Sequence, residues 1–512
     1  MTSRLNRNTA AITAAVALAA CAPRTRRTPD DTLVVLVETA PKTSDPRSTI
    51  NSFDQKLSRL VCPGLTVLDT PDMAPAYGLA EAIEQVDPLT WDVTVRADVR
   101  FSDNTPVTAD DVAWTYESAM ADSKTWSERF ASFDRLDARR VRFHLKAPLS
   151  TIMTDLDMGI AAHHGANARG KFDGNRALCA GPYRVDRISA DRVLLSANPY
   201  YYGPAPLTPR IDIKVVRDAA ARIVMLAGGS ADLVQNSIRP DLVDDVLARP
   251  RLREQRGPSN VLSYLMFNTR DPIVKDVRVR RALALAIDRR ALVAKKFAGR
   301  AVLATGLLPP GHWAYRAAAP MLERDLVAAG KLLDEAGYPD PDGPGGRPRL
   351  SLVYKTSSDQ FRLAVARVIA AQLGDLDIDV EVRPFEFGTF FADIKKGAFQ
   401  IATMQTAEII EPDMFFPYFH STRIPDVGHP DDTNRWRYVN PTIDRLLEAG
   451  RAEPDRDRRI DVYAEVQRIL SIDLPIVPLW HEDNVAIVNR DVTGFEILPN
   501  ARWSGFAKVR KR

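Results

Sequence analysis

The stretch "RLSLVYKTSSDQFRLAVARVIAAQLGDLDIDVEVRPFEFGTFFADIKKGAFQIATMQTAE", from Arg349 to Glu408, switches hydrophobic period four times. "RLSLVYK" alternates as a strand ending at Lys355, and "DQFRLAVARVIAAQL" then spaces its apolar residues as a helix does. "IDVEVRPF" returns to alternation, "GTFFADIKKG" reads as a short helix, and "FQIATMQTAE" as a buried strand ending at Glu408. Strand, helix, strand, helix, strand is the order of a doubly wound parallel sheet. Ligands of such sheets gather outside the carboxyl ends of the strands, where this reading puts both Lys355 and Glu408. Their opposite charges suit the two ends of a zwitterion.

Glu408 raises a question of its own. From Phe399 to Phe416 the chain, "FQIATMQTAEIIEPDMFF", is apolar or small almost throughout. A buried carboxylate costs several kcal/mol unless a positive group meets it. Two answers stay open: Glu408 touches a ligand, or it closes a structural salt bridge with Lys355 or an arginine.

Outward from this stretch, 512 residues are too many for one core, so two or three domains are expected. "TLVVLVE", "WDVTVRADVRF" (Trp91–Phe101), "VRFHLKAP", "DRVLLSANP" and "RIDIKVVRD" read as strands. "TPVTADDVAWTYESAM" opens a helix, with Thr108 as N-cap and Asp111 three residues on, an acidic variant of the capping box. "AAARIVMLAGGSADLV" reads as helix, break and short strand, and "VLSYLMFNTRDP" as a strand leaving this half. "DVRVRRALALAIDRRALV" reads as one amphipathic helix whose arginines lie mostly off the apolar stripe, in solvent. "RDLVAAGKLLDEAGY" is another helix, with Gly337 placed to end it.

Arg4 and Arg7 precede the apolar run "AAITAAVALAA", a basic start and core of the kind that directs export. The run is too short to cross a bilayer, which takes ~20 apolar residues. Leu18-Ala19-Ala20-Cys21 resembles the bacterial lipobox, in which cleavage leaves a lipidated cysteine first; the alternative is a plain secretory signal with an incidental cysteine. Residues 1–20 are then the signal, and 21–31 a tether whose arginines either graze anionic headgroups or are simply solvated. With Cys21 acylated, Cys62 and Cys179 remain, and export makes a disulfide between them possible.

The formal net charge of +3 falls to +1 once Arg4 and Arg7 leave with the signal (3 minus 2), which gives nucleic acid no concentrated basic face. The seven histidines show no metal-ligand spacing, and there is no GxSxG elbow, P-loop or GxGxxG after a strand. The sequence offers no argument for an enzyme, a metal or a cofactor.

"LTWDVTVRADVRFSDNTPVTADDVAWTYE" resembles a hallmark stretch of the large extracytoplasmic solute-binding proteins of bacterial peptide and nickel ABC importers, solute-binding family 5. It departs at Asp98 and Asn104, where that family usually has glycines. "AGPYRV" (Ala180–Val185), "ANPYYYGPAP", "FNTRDPIVKDVRVRRALALAIDRRAL", "YVNPTIDRLLEAGR" and "VYAEVQRILSIDLPIVPLW" match further segments in order, so the resemblance runs from about Thr32 to Phe506.

The resemblance implies an α/β fold: a two-lobed, periplasmic-binding-protein-like clamp with mixed and doubly wound sheets joined by a hinge. Residues 32–258 and 485–512 would form lobe I, and 259–484 lobe II. It implies a monomeric receptor that captures peptides for an ABC permease, held at the membrane by the lipid on Cys21. The alternatives are a non-peptide solute (a nickel chelate, an opine or an oligosaccharide) or an envelope sensor or scaffold on the same fold. In peptide-binding members a Trp-x-x-Asp element holds the peptide's ammonium. Aligned on Glu411-Pro412, its aspartate falls on Glu408 and its tryptophan on Gln405. The longer glutamate moves the subsite by roughly 1.5 Å at most, and losing the tryptophan removes a flat apolar wall. Some dipeptide binders use an arginine near the position of Lys355 for the carboxylate. Trp436 and Tyr438, and the segment from Ser48 to Asn51, either wall the pocket or serve packing and surface.

Overall fold

A computed structural model describes residues 28–49, 51–317, 322–343, 345–406 and 408–511; the export signal and Cys21 lie outside them. Strand Leu350–Ser357 lies between Ile378–Phe385 and Ile401–Gln405, and all three run parallel. Helix Gln360–Gly374 buries Val365, Ala366, Ile369 and Leu373 in one core, whereas helix Phe387–Lys396 buries Phe390 and Ile394 in another. The adjoining strand Leu262–Phe267 sends Leu265 and Phe267 to the first core and Tyr264 and Met266 to the second. Alternation along a strand separates the two faces of a sheet, so the helices cover opposite faces and the winding is double.

Beyond Ile401–Gln405 the sheet continues antiparallel through Leu262–Phe267, Ile476–Glu482 and Ala301–Leu303, six strands in all. A seven-stranded mixed sheet carries Thr32–Val37 at its centre, parallel to Arg210–Val215 on one side and to Leu233–Gln235 on the other. It takes Asn484–Asn489 from far along the chain, between Leu233–Gln235 and Leu252–Gly257. A third, antiparallel sheet of four strands spans Ala80–Asp87 to Arg140–Leu145 and packs under helix Ala109–Asp122.

The cores respect these sheets. Apolar clusters drawn from residues 262–480 flank the six-stranded sheet, and those around the other two sheets draw on residues 33–252 and 486–509. The chain therefore folds as two bodies and crosses between them twice, at 258–261 and at 483. Asn484 ties the crossings together, donating from Nδ2 to the Pro258 carbonyl at 3.0 Å.

The predicted capping box is present: Thr108 Oγ1 accepts from Asp111 N, and Asp111 Oδ2 accepts from Thr108 N at 3.0 Å. Thr108→Ala is expected to cost about 1 kcal/mol, visible as a lowered Tm. Asn104 replaces a family glycine without difficulty because it sits at φ +74°, a region asparagine tolerates. Gly181 is required, since a Cβ there would lie 2.4 Å from the Val61 carbonyl oxygen. Beside this close approach Cys62 and Cys179 are bonded to one another.

Three expectations are corrected. The strand read over Trp91–Phe101 covers only Thr90–Val95. The single helix read across 276–293 is two, Val277–Ala286 and Arg289–Lys296; Ile287 is extended, and Asp288 caps the second by accepting from Ala291 N. Two of its arginines are buried rather than solvated. Arg280 donates to the carbonyls of Val274, Lys275 and Leu474, and Arg289 to those of Ala304, Leu322 and Pro478. Five fixed donors satisfy carbonyls that regular structure leaves open. No helix among the described residues is long and apolar enough to cross a membrane.

Candidate ligand-binding cleft

Where the two bodies face each other, a cavity of about 710 Å³ opens, bordered by the crossings at Ser259–Val261 and Asp483. From the first body, helix Ser52–Val61 points its N-terminus here. Asn51 caps it, accepting from Phe53 N at 2.9 Å and Asp54 N at 3.1 Å, and lines the cavity. From the second body come Gln405 and Glu408. The strand ends at Gln405 rather than at Glu408, and Thr406 beyond it is held to the first residue of the adjoining strand: its N donates to the Leu262 carbonyl and its Oγ1 accepts from Leu262 N, both at 2.9 Å. Ile409 N then donates to the Asn260 carbonyl at 3.1 Å. These bonds pin both sides of Glu408 and leave its side chain at the cleft.

Among the described residues Glu408 has no hydrogen-bond or ion-pair partner. Part of its surface opens on the cleft, yet protein surrounds it on nearly all sides. Burial pushes its carboxyl above the ordinary value of 4.5, and Arg502, Lys56 and Arg59 only partly offset that. The two arginines are committed elsewhere: Arg502 holds both oxygens of Asp157 at 2.9 and 2.8 Å, and Arg59 Nε lies 3.1 Å from Asp157 Oδ2. Glu408 thus sits in a positive field without touching its sources. It also borders a second cavity, of about 500 Å³, where Thr154 of the first body donates to Glu411 of the second at 2.8 Å. Close by, Ser150 N donates to the Arg451 carbonyl at 2.9 Å.

The other sequence candidates divide. Gln405 donates to Glu482 Oε1 at 2.8 Å, the same oxygen that accepts from Arg362 and Ser263. Lys355 stands away from Glu408. Its strand continues to Ser357 and its register partner is Ala402, three residues before Gln405, so the two are not level. Its ammonium pairs with Asp393 at 2.6 Å, over the ring of Phe385. The salt bridge read between Glu408 and Lys355 is therefore not formed. Trp436 is fully buried in the second body, stacked on Tyr418 with ring centres 5.7 Å apart, and Tyr438 donates to Asp473 there. Neither lines the cleft; nor does Ser48, which is exposed on its turn. No group of three or more metal-ligating side chains occurs among the described residues.

Sequence reasoning missed Lys56, although a signal was present. Phe53, Lys56, Leu57, Leu60 and Val61 follow i, i+3, i+4, i+7, i+8 spacing, so the lysine occupies a place in an otherwise apolar stripe. It is only 8% exposed and lines the cleft.

Comparison with known proteins agrees with this architecture. Residues 74–425 match the family model for bacterial extracellular solute-binding proteins, family 5 Middle. A probable di/tripeptide-binding protein of Pseudomonas aeruginosa is 24% identical over 436 residues, covering 80% of each chain. The probable D,D-dipeptide-binding periplasmic protein DdpA of Escherichia coli is 25% identical over 496 residues, covering 92% of each. Among solved structures, NikA from Brucella suis superposes with a TM-score of 0.84 at 21% identity, covering 95% of this chain and 100% of that one, and shares the two-lobed fold. The first two carry names that describe peptide binding. A two-bodied α/β clamp with a polar cleft between its halves, matched over most of its length by that family model, belongs to the bacterial extracellular solute-binding proteins of family 5.

Proposed function

We propose that this protein captures peptides with a free N-terminus outside the cytoplasm and delivers them to an ABC permease, with lipidated Cys21 as its anchor. Lobe I comprises residues 32–258 and 485–512, and lobe II 259–484, closing on the solute about the two crossings. The observation that carries the reading is the carboxylate of Glu408, enclosed at the cleft with no partner among the described residues. An ammonium supplies the charge and the hydrogen-bond donors this carboxylate lacks, and in a partly dry cleft such a pair fixes the ligand's orientation. The di/tripeptide- and dipeptide-binding names of the relatives support the same solute class.

Native mass spectrometry of protein purified from the cell envelope, followed by denaturation, tests this. Heterogeneous peptides with free amines are the expected release; a single non-peptide mass overturns the reading. Glu408→Gln should weaken binding of such peptides at least about tenfold in calorimetric titration, the scale of a hydrogen bond to a charged group. Wild-type affinity should fall with decreasing pH, beginning above the ordinary glutamate value because Glu408 protonates early; the glutamine variant should lose this dependence. The ligand-free variant also separates the two roles. With its folded pKa raised, Glu408 subtracts stability as pH rises from 4.5 through that raised value. Glutamine should therefore hold or raise the ligand-free Tm at neutral pH, whereas a structural counter-ion would lower it.

A further inference from the structure

Of the charged side chains lining the cleft, most are satisfied. Glu38 accepts from Ser237, Glu482 from Arg362 and Gln405, and Asp483 lies 3.4 Å from Arg256. Two remain. Among the described residues neither Glu408 nor Lys56 has a hydrogen-bond or ion-pair partner, and Lys56 is more than nine-tenths buried. Its ammonium lies over the ring of Phe53, 5.6 Å from the ring centre. An ammonium has three donors and no acceptor of its own, and burying it unpaired is costly. Lys56 is buried on helix Ser52–Val61 of the first body, and Glu408 follows the Ile401–Gln405 strand of the second, so the two unmatched charges face one cavity from opposite sides.

We infer that Lys56 holds an anionic group of the solute, so that the cleft is built for a short zwitterion, a dipeptide or tripeptide, whose ammonium meets Glu408 and whose carboxylate meets Lys56. This rests on the peptide reading above and narrows it. Lys56 and Glu408 feel each other's charge, and Glu408 is the leading opposite charge acting on Lys56. They are more than 4.0 Å apart, since no ion pair joins them. A ligand that meets both must fit its two charges within the one cavity of about 710 Å³ that they line. An extended chain lengthens by roughly 3.3–3.6 Å per residue, so an oligopeptide's terminal carboxylate lies beyond reach of Lys56 once its ammonium is on Glu408. Both lobes then hold one end of the same molecule, and the ligand itself draws the cleft shut.

The test offers the full-length protein three dipeptide libraries, free-ended, C-amidated and N-acetylated, and a free-ended hexapeptide library, with retention read by native mass spectrometry. Wild type should retain free-ended dipeptides and hold the C-amidated set about tenfold or more weakly. Lys56→Met, matched in length and apolar stem, should hold the free-ended and amidated sets equally. Equal retention of amidated and free-ended dipeptides by wild type overturns the inference without depending on any variant. So does retention of hexapeptides as strong as that of dipeptides. If Glu408→Gln weakens binding while Lys56→Met keeps the preference for a free carboxylate, the role of Lys56 falls and the peptide reading stands. If wild type holds none of the four libraries, the peptide reading fails and the role of Lys56 with it.

Discussion

Replacing Cys62 and Cys179 together by alanine is expected to cost about 2–5 kcal/mol of stability. The bond joins residues 117 apart in sequence, and the loop it closes contains the whole four-stranded sheet with its covering helix. Without it the unfolded chain regains the freedom of that long loop, worth on the order of 4–5 kcal/mol on the chain-entropy account. The native surroundings should survive the change. Gly181 N still donates to the Val61 carbonyl at 2.8 Å, and Gly159 still packs against the Cys62 backbone, where a Cβ would come within 2.4 Å of its oxygen. The loss should appear as a lowered Tm, roughly 2–4 °C per kcal/mol for a body of this size, with solute binding at saturation unchanged. Reductant should shift wild type and leave the double variant unmoved. Equal Tm values with and without reductant in the wild type would sink the prediction.

Arg502→Met should be nearly as costly, about 3–5 kcal/mol. Arg502 is 6% exposed, grips both oxygens of Asp157 and lies 3.4 Å from Asp69, so methionine leaves the buried Asp157 with Arg59 alone and takes the ion pair from Asp69. Of the cations acting on Glu408 it also has the largest effect. Its removal should raise the carboxyl of Glu408 further, so that peptide affinity begins to fall at a higher pH than in wild type. Adding Asp157→Asn should recover part of the stability and, because the Asp157 carboxylate itself pushes the Glu408 carboxyl up, should move the pH profile part of the way back. A pH profile left unchanged by Arg502→Met would mean that Arg502 serves the fold and not the cleft.

The alternation of strand and helix from Arg349 to Gln405 was legible because each segment is long enough to show its period, and the double winding followed. The capping box at Thr108 was legible because its chemistry is local. What the sequence hid was register and depth. Lys355 and Glu408 each read as the end of a strand, but pairing puts Lys355 level with Ala402 and gives it to Asp393. Trp436 and Tyr438 lie outside regular structure in a polar stretch, which says nothing of their burial; the second body packs around them. Arg289 reads as solvated only if helical phase runs straight through Ile287, where the helix breaks; Arg280, before the break, lies off the apolar stripe but carries its guanidinium to carbonyls of other segments, which no helical period shows. Gln405 and Asn51 do reach the cleft, and Glu408 does so through bonds from the crossing strand that no local pattern encodes. Lys56 was overlooked for want of asking why one charge interrupts an apolar stripe.

The paired crossings have a mechanical consequence. Two bodies joined by a single strand can swing and twist independently; joined by two strands lashed together, as Asn484 lashes them at Pro258, they keep one easy rotation, about the line through both. Under such a rotation displacement grows with distance from the axis. Ser259 and Asn260 on the cleft wall would scarcely shift, whereas the contacts beside the second cavity, Ser150 to Arg451 and Thr154 to Glu411, join the two bodies outside the crossings and would part as the bodies swing. A few hydrogen bonds there act as a catch on a door, governing how long it stays shut more than what it shuts upon.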